Sequence, residues 1–177
     1  MKDFSHQKQR IQFTLGVAGF VALLLAGEII KGGVVTHHLL ASADMPGISN
    51  WWGMLSVPAL AWILFPANES AQSESTWLGF PEAMVLRFMA AIAYGAIMAA
   101  GFEFGRDEIT SNMLLILFPV GIFYPLYRGE LVVGFVMGMT YTFGGVLPVA
   151  AAGVVGIASL LTHWLACLVM RKFTAAG

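Results

Sequence analysis

The residues best suited to chemistry in this sequence are few, and several gather in Thr36–Gly53, THHLLASADMPGISNWWG, where His37, His38 and Asp44 precede a tryptophan pair. Neutral imidazole is a common ligand for borderline metals, and carboxylates complete mixed sites; Glu28, Asp44, Glu103, Asp107 and Glu108 would share one face with these histidines in the topology drawn below. Neighbouring residues point about 100° apart on a helix, however, so His37 and His38 do not easily converge on one ion. There is no His-x-x-x-His spacing. For His37, His38 and Asp44, solvated or interfacial side chains are favoured over a metal site, and no cofactor is expected.

Ionisable groups inside apolar runs carry more weight, because a charge at the centre of a bilayer costs about 3 kcal/mol even on insertion scales. Arg87, Ala91, Gly95, Ala99 and Glu103 recur every fourth residue, and small residues at that spacing mark close helix packing. Glu28 follows a stripe of Ala18, Ala22 and Ala26 but lies roughly a third of a turn from its centre, which suits a solvated helix end. His163 shares a face of small and polar residues with Ala152, Gly156, Ser159 and Cys167, so its imidazole is expected to point inward. A buried histidine commonly just bonds a carbonyl; the sharper alternative is a proton relay or substrate contact. Thr140, Tyr141 and Thr142 follow Gly134-x-x-x-Gly138, most simply a packing face. A polar route then runs from Glu28, Glu103 and Asn112 outside, through Thr140–Thr142, to His163 and Arg87 inside. YRGE, Tyr127–Glu130, reads as a short salt-bridged turn. Nucleophile-elbow, Walker, Cys-x-x-Cys and dinucleotide motifs are absent.

The elements that must position these groups follow from composition. The chain has 177 residues, 58% hydrophobic and only 11% charged, with mean hydropathy +0.79. Soluble domains average about 45–50% apolar and 25% charged residues, so the expected solvent is lipid. No basic face suggests nucleic acid, and the lone Cys167 can form no intramolecular disulfide. The apolar segment Ile11–Ile30 is longer than a signal-peptide core, and Ala41-Ser42-Ala43 lies far beyond it, which predicts an uncleaved first span.

The whole chain, 1–177, therefore reads as one all-α integral membrane domain of about six transmembrane helices, near 11–30, 51–66, 81–101, 110–127, 131–147 and 150–170. Ser49 or Asn50 caps the short second span, and Trp51 and Trp52 anchor it at the interface. The segment MPGISN reads as a turn, and the outer loop as docking on the second span. The fourth helix should kink or break at Pro119–Pro125. Five spans with one long kinked helix is the alternative to a turn at Gly144-Gly145. With both termini cytoplasmic, the inner side receives Lys2, Lys8, Arg10, Arg87, Arg128, Arg171 and Lys172, the outer side only Lys31 and Arg106.

The leading expectation is a multi-pass inner-membrane protein that moves, or binds for movement, a small solute or ion. A membrane-embedded enzyme with an outer-face site for a lipid-linked or periplasmic substrate is one rival. A non-catalytic subunit of a larger membrane complex is the other. The expected partners are the lipid bilayer and a small-molecule or ion substrate, with a homo-oligomer or larger complex compatible.

Overall fold

The computed structural model describes residues 2–38, 46–65, 76–77 and 79–174. Among the described residues there are six α-helices: α1 Lys2–Ile30, α2 Gly53–Leu64, α3 Glu82–Glu103, α4 Asp107–Phe123, α5 Gly129–Phe143 and α6 Val146–Thr174. Two short antiparallel strand pairs accompany them, β1 Thr36–His38 with β2 Gly47–Ser49, and β3 Thr76–Trp77 with β4 Phe80–Pro81. Segments His6–Ile30, Glu82–Glu103 and Val146–Leu168 are long and apolar enough to cross a membrane. Helices α2, α4 and α5, with 12, 17 and 15 residues, are about 18, 25 and 22 Å long.

The centre is α5. Its residues Val132–Met137 are all buried, as are Met139 and Thr140, so this helix meets protein on every side. Its largest contact is with α3. The stripe Ala91, Gly95 and Ala99 is buried there, and a Cβ at Gly95 would stand 2.5 Å from the Phe135 carbonyl oxygen. One at Gly138 would collide with the Ile92 carbonyl in the same way. The small residues let the two backbones touch.

Proline chemistry accounts for the end of α4. The helix runs through Pro119 and stops at Phe123, and Tyr124 is extended (φ −124°, ψ 134°), as the residue before Pro125 is biased to be. Pro125 has no N–H to give the Gly121 carbonyl one turn back. Ser159 on α6 donates to that oxygen at 2.9 Å and accepts from Leu126 N at 3.1 Å, while Thr162 reaches the same carbonyl at 3.4 Å. The polar face on α6 thus closes a helix end. Between α5 and α6 the chain turns at Gly144, whose φ of 70° favours glycine, so these are two helices rather than one long kinked one.

On α1 the buried stripe is Val17, Val21 and Leu25, one position away from Ala18, Ala22 and Ala26, because the larger side chains fill the groove beside α2. Glu28 continues this packed face rather than standing off it.

Contacts define two ends of the bundle. At one, the hairpin end, Asn50 meets Glu28 and Gly145, and Thr110 donates to the Met98 carbonyl. At the other, the basic end, Arg10 donates to the Trp62 carbonyl and lies 4.2 Å over its ring, and Arg87 meets Glu130. Successive helices therefore alternate in direction.

Candidate functional site

The hairpin end holds an open pocket of about 340 Å³, lined by Glu28, Lys31, Gly32, Gly33, Val35, Glu103, Tyr141 and Thr142. The ends of α1, α3 and α5 and the strand pair after α1 build it. Helix α1 ends at Ile30, and its last turn folds back as Lys31 N and Gly33 N both donate to the Glu28 carbonyl at 3.1 Å. The strand pair that follows is set in register, Thr36 opposite Ser49, and Asn50 N donates to the Val35 carbonyl at 3.0 Å. Ser49 then caps the 3-10 turn Asn50–Trp52 that leads into α2, and Trp51 and Trp52 are exposed there. The last residue of α3 and the last turn of α5 supply Glu103, Tyr141 and Thr142.

Glu28 and Asn50 hold these pieces together. One Glu28 carboxylate oxygen accepts from Val35 N at 3.0 Å and the other from Asn50 Nδ2. Asn50, buried, accepts through Oδ1 from Gly145 N at 3.0 Å. Its amide therefore ties the end of α1 to the α5–α6 turn, using both of its ends. Lys31 Nζ donates to the Tyr141 hydroxyl at 3.5 Å and sits 5.6 Å from the ring centroid. Glu103 is exposed and has no ion-pair or hydrogen-bond partner among the described residues. The pocket therefore offers one unengaged carboxylate, a second carboxylate fixed by N–H groups, one ammonium and two hydroxyls.

Of the polar residues singled out in the sequence, Glu28, Glu103, Tyr141 and Thr142 come together here. The others do not join them. Thr140 is buried, and its hydroxyl donates to the Val136 carbonyl of its own helix at 2.7 Å. Asn112 is exposed on α4. Arg87 lies at the basic end, its Nε 2.7 Å from Glu130 Oε1. His163 lies 17 residues beyond the start of α6, roughly 25 Å along it. Its ring stands edge-on to Tyr127 at 5.7 Å, and its Nε2 is buried with no hydrogen-bond partner among the described residues. The segment with His37 and His38 is strand rather than helix, and Asp44 lies outside the described residues. Among the described residues no three His, Cys, Asp or Glu side chains are grouped to hold a metal.

Two residues carry more of the site and its scaffold than their sequence context suggested. Asn50 reads locally as a helix cap, and only the fold brings Gly145 to it. Glu130, 1% exposed, gathers two arginines: Arg128 Nε is 3.0 Å from the same Oε1 that Arg87 holds. The salt-bridged turn in YRGE is present, and α3 adds Arg87 to it.

No protein-family model matches this chain, and neither a curated protein nor a solved structure matches it.

Proposed function

We propose that this is a multi-pass inner-membrane protein of six spans, both termini cytoplasmic, that captures a small amino-bearing solute at its outer end as the binding step of transport. The observation that carries this reading is the pocket in which Glu28 and Glu103 face one ammonium, that of Lys31. The excess of carboxylate favours a cationic or amino-bearing ligand, with Glu103 as its counter-charge and the Tyr141 and Thr142 hydroxyls as orienting groups. The orientation is supported by Arg10, Arg87 and Arg128 at the end opposite the pocket. Exposed tryptophans at both ends, Trp51 and Trp52 at one and Trp62 and Trp77 toward the other, suit two interfacial belts. The short α2 and α4 fit a bilayer thinned around them.

A panel of amines, amino acids and polyamines, screened by thermal stabilisation of the purified protein in micelles, tests the reading. A stabilising amine whose effect disappears in Glu103→Gln, while the unliganded melting temperature stays the same, supports it. Stabilisation only by anions, or unchanged stabilisation in Glu103→Gln, refutes it.

A further inference from the structure

A second cavity, of about 250 Å³, lies beneath α4 and has no part in the polar pocket. Helix α4 rests on α3 and on α6 and bridges over α5 with little contact to it. It is pinned near its start by Thr110 on the Met98 carbonyl and by Tyr94 on the Met113 carbonyl, 2.6 Å. Near its end it is pinned by Ser159 on the Gly121 carbonyl. Between these pins the small side chains of Ala90, Ala91 and Ala152 leave space above Leu131, Val132 and Phe135 of α5. The pins keep α4 from sinking into that space.

Everything lining the cavity is apolar except Tyr94, whose hydroxyl is already donated to Met113. A water there would find none of the two to four polar partners it needs, and a dry apolar cavity of roughly 150 Å³ is already large enough to hold benzene. The walls belong to the middle of α3 and to α6, segments long and apolar enough to cross a membrane, which sets the cavity at bilayer depth. Its border residues Ala90, Ile116 and Val120 are exposed, so the mouth opens sideways, toward where hydrocarbon surrounds a membrane protein. We propose that this cavity is a binding site for one hydrocarbon chain of a membrane lipid, entering between α3 and α4.

Nuclear Overhauser contacts to buried methyl groups provide the test. The full chain, methyl-labelled at Ala, Val and Leu, is placed in perdeuterated micelles, and palmitoyl-lysophosphatidylcholine with a protonated chain is added. Val132 and Ala152 are buried, so a chain that merely coats the protein does not reach them, whereas Leu23, 75% exposed on α1, reports coating. The expected result is saturable contact from the chain to Val132 and Ala152. It should be lost in Ala90→Phe and in Val120→Phe, which plug the mouth from opposite walls, while the Leu23 contact persists. Two variants guard against misfolding of either one. Contacts to Leu23 alone, or contacts to Val132 and Ala152 that survive both plugs, overturn the proposal.

Discussion

Removing both arginines that face Glu130 should cost more than the two single removals added together. The carboxylate is 1% exposed, and Arg87 Nε and Arg128 Nε share its Oε1 at 2.7 and 3.0 Å. Either guanidinium alone leaves the buried charge paired. Arg87→Gln and Arg128→Gln should therefore each cost about 1 kcal/mol, below the roughly 1.5–3 kcal/mol of a hydrogen bond to a charged group, because the remaining arginine compensates. The double variant leaves a buried carboxylate without a counter-charge, for which about 3–5 kcal/mol is the usual cost. The coupling is then about 1–3 kcal/mol. Glu130→Gln should cost less than the double variant, since the arginine side chains, 22% and 29% exposed, can turn to water and the buried charge is gone. Reversible unfolding of all four variants in mixed micelles, followed by far-UV circular dichroism with increasing dodecyl sulfate, measures these differences. A double variant within about 0.5 kcal/mol of the sum of the singles would refute the shared-carboxylate argument.

Gly138→Ala should destabilise the α3–α5 contact by about 1–3 kcal/mol, whereas Gly153→Ala, whose added Cβ meets nothing within 4 Å, should be neutral or slightly stabilising in the same unfolding assay. Ser159→Ala should cost about 1 kcal/mol, because it removes two hydrogen bonds while Leu126 N keeps the Tyr124 carbonyl at 2.8 Å and the Gly121 carbonyl keeps Thr162 at 3.4 Å, with Thr162→Ala costing less. In a Cys167→Ser background, an impermeant maleimide applied to intact cells should label Ser42→Cys and not Ser5→Cys; the reverse pattern would invert the proposed orientation. His163→Leu should leave amine binding at the hairpin end unchanged and shift stability by less than about 1 kcal/mol, since Nε2 has no partner to lose among the described residues; loss of binding would return His163 to the functional site.

Close approach was legible in the sequence because it is written as missing side chains. Ala91, Gly95 and Ala99 on α3 and Gly134 and Gly138 on α5 mark a contact whatever surrounds the bundle. The interruption at Pro119–Pro125 was readable as a local backbone constraint, although the fourth span drawn to residue 127 ran past the helix end at Phe123, and the turn at Gly144 was one of two readings that the sequence left open. Which face of α1 packs was not readable. When the surroundings are as apolar as the core, hydrophobic periodicity no longer separates inside from outside, and Val17, Val21 and Leu25 look no more buried than Ala18, Ala22 and Ala26. Long-range polar pairs were hidden as well. Nothing near Asn50 points to Gly145, 95 residues away, and nothing near Glu130 points to Arg87. The grouping of Glu28 with Glu103 followed from topology, but their joining with Lys31 needed the turn after α1 to fold back.

Engaged and unengaged polar groups are distributed unevenly between the two ends of the bundle. At the basic end Arg87 and Arg128 hold Glu130. Toward that end Ser159 and Thr162 complete the backbone that Pro125 leaves open, and deeper in the bundle Thr140 bonds its own helix. Each of these groups has a structural partner, with Glu130 Oε2 alone left without one among the described residues, and breaking any of those bonds for a solute would expose a buried donor or acceptor at a cost of about 1–3 kcal/mol. At the hairpin end Glu28 and Asn50 do the same structural work, yet they do it as the wall of a pocket, and Glu103 stands in that pocket with no such duty. A ligand charge meeting Glu103 displaces only water. That asymmetry, rather than the number of polar residues along the chain, is what separates a candidate site from a polar seam that holds helices together.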